Sequence, residues 1–352
     1  MKNFLKQFGG TPTQDLKSRY AQSDRWIKGK FRNIERTDLS MDIFKLPSII
    51  YKQFVINRKR TPETPLPVLL FDKERFLETS DQTKMIWYGH SAIMMRVMDK
   101  TILIDPMLGS DTTPIAPVAN PRFSKDTLPL IDDFPSIDLV CITHDHYDHL
   151  DYDSIRKLIP KTNQYFVALG VKRHLTAWGV HPDKVTEFEW YDSHTCGSVQ
   201  ITFTPTRHFS GRGLRDRMMT LWGGWLIQSP QEKIWFSGDG GYGKHFSEIG
   251  QRLGPFDFAF MECGQYNDDW RPVHLFPDES IQAALDAAAQ KVMPVHWGGF
   301  DLSYQHNWHQ PPEEFVKHAL TADLDFALPR IGEIFTVDSI LEEEWWKGFA
   351  RR

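Results

Sequence analysis

The stretch CITHDHYDHLD occupies residues 141–151 and contains three histidines and three aspartates. It continues the apolar run IDLVCI (137–142), which predicts a buried strand. Reactive groups in α/β proteins usually lie at the carboxyl ends of such strands. Taken alone, the stretch fits a site for one structural metal ion, a charged loop in solvent, or part of a larger catalytic centre.

The residue types in this stretch favour metal binding. Imidazole nitrogens and carboxylate oxygens are the usual ligands of zinc and similar divalent ions. His144 and His146 are two residues apart and point the same way in an extended turn, so the pair can bind one ion. Asp148 and His149 are offset from that pair and can serve a second ion. Two ions with open positions for water need additional ligands from elsewhere.

Three later strand ends carry the same residue types. His208 follows VQITFTPTR (199–207), Asp239 ends KIWFSGD (233–239), and His296 lies near the end of KVMPVHW (291–297). Each follows an apolar run, and glycine-rich turns flank Asp239 and His296. These three residues are therefore the candidates for completing a two-ion centre.

The hydrophobic pattern predicts the fold class. Twelve short apolar or alternating runs between residues 84 and 337 predict strands. Helices are predicted among them, and in the alanine-rich one at 278–290 Asp278 is the expected N-cap. No repeat or linker divides the chain, so we expect one α/β domain at 81–352, with two sheets covered by helices. The predicted helices are 152–159, 171–178, 244–253, 278–290 and 312–320.

Composition narrows the cellular context. No apolar run reaches the ~18–20 residues that a membrane span requires. The three cysteines show no CxxC spacing, which is typical of a protein in a reducing cytoplasm. The sequence leaves the oligomeric state open.

Charge is distributed unevenly along the chain. The net charge is −5 over 352 residues, but residues 1–60 hold 14 Lys+Arg and 5 Asp+Glu, a net charge of 14 − 5 = +9. We interpret residues 1–80 as an N-terminal extension packed on the main domain. Its basic, partly apolar segment is a candidate for peripheral contact with the inner face of the membrane. The acidic remainder disfavours an extended phosphate track, so no nucleic-acid partner is expected.

The complete ligand set resembles that of the metallo-β-lactamase superfamily over roughly residues 80–340. The resemblance implies an αββα sandwich with the metals at one edge. It assigns the ligands to two divalent ions, zinc first, with manganese or iron as alternatives. Asp239 matches the carboxylate that bridges both ions. The first ion takes His144, His146 and His208, and the second takes Asp148, His149 and His296.

A closer resemblance is to the N-acylphosphatidylethanolamine-hydrolysing phospholipase D family. It rests on WYGHSAIMMRV (87–97), LIDPMLGS (103–110), THDHYDHLD (143–151), RHFSGRG (207–213), GDGGYG (238–243) and HWGGF (296–300). The resemblance implies a zinc phosphodiesterase acting on phospholipid, with attack by a bridging hydroxide on phosphorus. Asp148 and Asp239 would hold the hydroxide. The family commonly has Gly-Asp-Thr-Gly where this chain has glycine at 240, so one supporting hydroxyl is absent.

Five further residues are candidates for supporting roles. His274 matches a position near the metals in that family and is the candidate for protonating the leaving alkoxide. His90 and Asp105 are expected to orient metal ligands through hydrogen bonds, with a satisfied core or turn residue as the alternative. Tyr147 is expected to face the substrate. Arg212 suits a phosphate, with a solvated ion pair as the alternative.

Two other functions remain open at this point. The same metal centre in this superfamily also supports lactonases for phosphosugar or acyl-homoserine lactones, in which the nucleophile attacks a carbonyl carbon. A metal-stabilised binding protein without turnover is the non-enzymatic alternative. The substrate is therefore expected to be a phospholipid or another small molecule.

Overall fold

Residues 4–37, 51–52, 59–113, 119–213, 215–341 and 344–349 are described by a computed structural model of the chain. Two seven-stranded sheets form the body of the molecule. The first sheet has the spatial order β16 (Ile334–Phe335), β3 (Lys84–Trp87), β4 (Ile93–Val97), β5 (Lys100–Ile104), β6 (Ile137–Ile142), β7 (Thr162–Ala168) and β8 (Val185–Phe188).

The second sheet is formed mainly by the later part of the chain. Its first three strands in chain order are antiparallel neighbours, whereas β12 to β15 run parallel to one another. A separate hairpin joins β1 (Trp26–Ile27) to β2 (Lys30–Phe31). The second sheet has the spatial order β15 (Asp325–Phe326), β14 (Lys291–Val295), β13 (Phe258–Glu262), β12 (Lys233–Phe236), β11 (Gly223–Gln228), β10 (Val199–Pro205) and β9 (Ser193–Cys196).

Seven α-helices are described, and the last three pack beside one another along the second sheet. The five predicted helices are present with bounds that shift by a few residues. The seven described helices are α1 (Gln14–Tyr20), α2 (Lys73–Leu77), α3 (Tyr152–Leu158), α4 (Lys172–Ala177), α5 (His245–Leu253), α6 (Pro277–Asp286) and α7 (Gln310–Thr321), and the five predicted ones are α3 to α7.

The prediction of Asp278 as an N-cap is wrong. Helix α6 begins at Pro277, so Phe276 occupies the N-cap position. The carboxylate of Glu279 accepts a hydrogen bond from the backbone N–H of Phe276 at 3.1 Å. Proline is favoured at the first helical position because it has no N–H to leave unsatisfied, and this places the start one residue before Asp278.

Side chains that alternate along the strands form two apolar layers, one on each face of the sheet. In β13, Phe258 and Phe260 belong to the apolar layer between the two sheets. Ala259 and Met261 point the other way and join the helices in a second apolar cluster. A strand that is buried on both faces needs apolar residues throughout, which explains the continuous apolar runs in the sequence. The architecture is an αββα sandwich, as predicted.

Several described parts of the N-terminal 80 residues lie against this body. The indole N–H of Trp178 donates to the carbonyl of Lys6 at 2.6 Å. Further along, the N–H of Leu69 donates to the carbonyl of Ile331 at 2.8 Å. Most of the segment proposed for membrane contact, 38–50 and 53–58, lies outside the described residues. Within the described part of the chain, no helix has the length and apolarity needed to cross a bilayer.

Candidate metal centre

Three histidine rings converge at the ends of β6 and β10. The Nε2 of His144 lies 2.8 Å from the Nδ1 of His146, and the Nε2 of His208 lies 3.2 Å from the same nitrogen. His144 and His208 are buried, and His146 is half-buried. Nitrogens bound to one tetrahedral zinc ion are about 3.3 Å apart. The three rings therefore have the spacing of ligands around a single ion.

A second group meets beside the first. The Nε2 of His149 and the Nε2 of His296 each lie 3.0 Å from Oδ2 of Asp239. Oδ2 of Asp148 lies 3.2 Å from the Nε2 of His296 and 3.5 Å from that of His149. Oδ2 of Asp239 is also 3.9 Å from the Nε2 of His208, so this carboxylate lies between the two groups.

The donor set fits divalent metal ions. The Nε2 of His149 is fully buried and makes no hydrogen bond to a described atom, although two carboxylates lie within 3.5 Å of it. A buried imidazole nitrogen without a partner is costly unless another group satisfies it. Five imidazoles and two carboxylates suit zinc, manganese and iron.

Hydrogen bonds on the outer side of the rings direct the ligand nitrogens inward. The Nδ1 of His208 lies 2.9 Å from the carbonyl of Val273. The Nδ1 of His144 lies 2.9 Å from the Thr143 hydroxyl, which donates to Asp105 at 2.5 Å. The same carboxylate oxygen lies 2.8 Å from the Nδ1 of His149. When each Nδ1 carries its proton outward, each Nε2 presents a lone pair to the ion.

His90 contacts the second group directly. Its Nε2 lies 2.9 Å from Oδ2 of Asp148. Its backbone N–H donates a hydrogen bond to the Trp297 carbonyl at 2.7 Å. Its backbone carbonyl accepts a hydrogen bond from the N–H of His296 at 3.0 Å. His90 and His296 both have positive φ, 57° and 69°. These bonds join the two sheets at the edge that carries the centre.

His274 lies beside both groups, and Glu262 supports it. The Nδ1 of His274 is 3.2 Å from Oε1 of Glu262, a fully buried carboxylate. The His274 ring stacks on that of His296, with centroids 5.3 Å apart and planes at 14°. A nitrogen of His274 also lies within 4.8 Å of ligand atoms of His208 and Asp239.

The sequence analysis did not identify Glu262 as a candidate site residue, although its position at the end of an apolar strand is the same signal that the ligands carry. It is the last residue of β13, an otherwise apolar strand. The neighbouring parallel strands β12 and β14 lead to Asp239 and His296, so the sheet order places the glutamate between them. Oε1 of Glu262 lies 3.4 Å from the Nδ1 of His296, and Oε2 accepts the N–H of Leu275 at 2.6 Å.

Tyr147 and Arg212 form a structural contact. The Tyr147 hydroxyl donates to the Arg212 carbonyl at 2.6 Å, and the guanidinium lies 4.0 Å above the Tyr147 ring. The guanidinium donates to the carbonyls of Gln7, Asp145 and Leu150. Each of its three guanidinium nitrogens thus donates to a backbone carbonyl. Arg212 therefore holds the histidine loop (143–151) in place and is not free to bind a phosphate through two parallel hydrogen bonds.

Burial and neighbouring charges set the protonation of the ligands. Burial, together with the nearby imidazoles, lowers the pKa of His144 well below its usual value, and burial lowers the pKa of His146 to about 4. Burial alone would raise the pKa of Asp239, but the imidazoles of His149 and His296 outweigh it and hold the pKa well below normal. Burial alone would lower the pKa of His149 and His296, but the carboxylates of Asp239 and Asp148 outweigh it and raise the pKa of both imidazoles well above normal. Because neutral imidazoles and ionised carboxylates are the forms that bind metals, these two histidines would release a proton when an ion binds.

Comparisons with known proteins agree with this geometry. The family described as a beta-lactamase superfamily domain matches residues 100–297. An uncharacterized protein of Mycobacterium tuberculosis is 31% identical over 97% of this chain and 94% of its own length. The N-acyl-phosphatidylethanolamine-hydrolyzing phospholipase D 1 of Caenorhabditis elegans is 29% identical over 71% of this chain and 74% of its own length.

A solved structure shares the fold. Igni18, a metallo hydrolase from Ignicoccus hospitalis, superposes with a TM-score of 0.57 at 20% identity, covering 74% of this chain and all of that one. The family match spans β5 to the residue after His296 and includes all seven candidate ligands. The chain belongs to the metallo-β-lactamase superfamily and is a metal-dependent hydrolase.

Proposed function

We propose that this protein is a phosphodiesterase of the phospholipase D type with two divalent metal ions at its centre. The observation that carries the proposal is the position of Asp239, whose Oδ2 lies 3.0 Å from His149 and His296 and 3.9 Å from His208. One carboxylate can therefore serve both ligand groups. The Caenorhabditis elegans relative named as a phospholipase D supports phosphodiesters as the substrate class.

Each ligand group would hold one ion. His144, His146 and His208 would hold the first, and Asp148, His149 and His296 the second, with Asp239 shared. Two divalent ions in such a site supply an activated water at neutral pH and neutralise charge on the phosphoryl oxygens. Zinc is the first candidate, because imidazole nitrogens dominate the first group. Asp148 is partly accessible to solvent, with 14% of its side chain exposed, and can accept a hydrogen bond from the attacking water.

His274 lies where it can protonate the leaving group. Its Nδ1 faces the buried Glu262, its side chain is 13% exposed to solvent, and one of its nitrogens lies within 4.8 Å of ligand atoms of His208 and Asp239. Glu262 accepts a hydrogen bond from the Nδ1–H of His274 and fixes the orientation of the ring, as a buried carboxylate does for a catalytic histidine. The other ring nitrogen can then donate a proton to the departing alkoxide.

A phospholipid substrate requires the protein to reach a lipid surface. The net charge of +9 over residues 1–60 would attract anionic headgroups. We therefore propose peripheral contact through this extension. Co-sedimentation with phosphatidylserine-containing vesicles should exceed that with phosphatidylcholine vesicles and should fall with added salt. Equal binding to both vesicle types would contradict this contact.

Metal analysis with a parallel activity panel tests the proposed function. The purified protein should contain two metal equivalents, hydrolyse bis-p-nitrophenyl phosphate and release N-acylethanolamine from N-acylated phosphatidylethanolamine. Hydrolysis of acyl-homoserine lactone without phosphodiester turnover would instead establish a lactonase. Bound metal without turnover of any panel substrate would favour a binding protein.

A further inference from the structure

In the described part of the N-terminal extension, the side chain of Asn33 contacts the candidate ligand His208. Its Nδ2 donates to the carbonyl of His208 at 2.9 Å, and its Oδ1 accepts the backbone N–H of His208 at 3.1 Å. The two residues are 175 positions apart in sequence. The Asn33 amide thus pairs with both backbone polar groups of a candidate ligand, as a neighbouring strand would.

We propose that Asn33 is a positioning residue for the metal ligand His208, and that the extension therefore completes the metal centre. The inference rests on the proposed role of His208 as a ligand. His208 lies three residues beyond the end of β10, where the sheet no longer supports the backbone. Among the described residues, the backbone–backbone hydrogen bonds outside regular elements include none to His208, so the amide of Asn33 provides the observed support.

The Asn33 amide is itself held in place. Its Oδ1 also accepts from the indole N–H of Trp222 at 2.9 Å, which fixes the orientation of the amide. The same indole N–H lies 3.2 Å from the carbonyl of Thr206, so it ties Asn33 to the loop that leads to the ligand. The His208 ring is fixed separately through the Val273 carbonyl, so different partners hold its backbone and its side chain.

The residues that follow Asn33 make similar contacts with the neighbouring loops. A carboxylate oxygen of Glu35 accepts the N–H of Lys244 at 3.0 Å, a few residues after Asp239. The guanidinium of Arg207 donates to the Thr37 hydroxyl at 3.0 Å and to the Arg36 carbonyl at 3.3 Å. The extension thus connects the loop that carries His208 to the loop that follows Asp239.

Two substitutions separate positioning from general stability. Asn33→Ala removes both bonds to His208. Asn33→Asp keeps an acceptor for the His208 N–H but places a carboxylate oxygen against the His208 carbonyl. Ser23→Ala is the matched control, because it removes a different bond between extension and body, the 2.8 Å contact to Glu189. All three are made in the full chain.

Zinc affinity, measured by competition with a chromophoric chelator, is the deciding readout. Loss of a partner that orients a ligand typically costs about 10- to 100-fold in metal affinity. We expect that loss for one zinc equivalent in both Asn33 variants, and wild-type affinity in Ser23→Ala. On bis-p-nitrophenyl phosphate at limiting zinc, kcat should fall with KM nearly unchanged.

The result of the zinc-binding experiment does not depend on the result of the activity panel. Wild-type zinc affinity in a folded Asn33→Ala variant overturns the inference. If Asn33→Ala does not fold, the zinc affinity of Asn33→Asp is used instead, and wild-type zinc affinity in that variant also overturns the inference. Zinc binding is measured without turnover, so the inference survives if the protein binds zinc but hydrolyses no phosphodiester.

Discussion

Asp105 and His149 form a fully buried hydrogen bond, with 2.8 Å between Oδ2 and Nδ1. Asp105 follows β5 and has a φ of 41°, an unusual conformation for a residue other than glycine. Its carboxylate also accepts the N–H of Thr143 at 2.8 Å. One side chain therefore fixes a candidate metal ligand and the start of the loop that carries the histidines.

We predict that Asp105→Asn weakens binding of the second ion. The amide cannot supply the negative charge that raises the basicity of His149, so zinc affinity at that site should fall about 10- to 100-fold. The measurement is metal content after dialysis against graded chelator. Asp138→Asn is the control, since Asp138 accepts a similar bond from the N–H of Thr101 at 2.9 Å but lies near the start of β6, whereas the histidines follow the end of that strand. Equal zinc retention in both variants would contradict the role of Asp105.

We predict that Asp239→Asn impairs both ions. A neutral amide offers one weak carbonyl ligand where a carboxylate lies between the two groups. Turnover should fall by more than the ~100-fold that loss of an orienting partner can cost, because a ligand itself is altered. Asp257→Asn, which alters a 2.7 Å bond to the N–H of Lys233, should leave turnover unchanged. Full turnover and two retained metals in Asp239→Asn would refute the bridging role.

Much of the fold was predictable because its signals are local. The strand ending at Ile142 is apolar at every position except Asp138, and burial on both faces requires a nearly continuous apolar pattern. In contrast, β9 (Ser193–Cys196) is mostly exposed and polar, and it exists because it pairs with β10 at the sheet edge. No local pattern could indicate it, since its hydrogen bonds depend on a neighbouring strand.

The same distinction applies to the centre. The seven candidate ligands follow apolar runs, so their type and position could be read along the chain. Glu262 had that signal too, but its partners become apparent only from the order of the strands. Asn33 carries no local signal at all, because its significance depends on a contact with His208, 175 residues away.

We predict that His245 makes the protein less stable in acid. Burial lowers the pKa of His245 to about 3 from an ordinary value of 6.5. Below pH 6.5 the unfolded chain binds a proton that the folded state does not, so stability is lost as pH falls toward 3. The loss approaches about 1.4 kcal/mol per pH unit.

His245→Phe should remove this contribution. Urea unfolding of both proteins between pH 6.5 and 5 should show the wild type losing more free energy of unfolding than the variant. Comparing the two at each pH cancels the effect of metal release, which both proteins share. A difference that stays constant with pH would show that His245 does not titrate as expected.

We predict that the need for His274 depends on the leaving group. An alkoxide leaves slowly unless it is protonated, so His274→Gln should lower kcat on N-acylated phosphatidylethanolamine about 10²- to 10⁴-fold. p-Nitrophenolate needs no proton, so bis-p-nitrophenyl phosphate should be affected much less. Glu262→Gln should give the same pattern, because Glu262 lies 3.2 Å from Nδ1 of His274 and fixes the orientation of the ring.

Two controls complete this experiment. His194→Gln alters an exposed histidine on β9 and should leave both substrates unaffected. Metal content must be measured in parallel, since Glu262 also lies 3.4 Å from His296. An equal loss of kcat on both substrates, with both metals retained, would mean that His274 does not protonate the leaving group. It would then act on the phosphoryl group itself, because that contribution is independent of the leaving group.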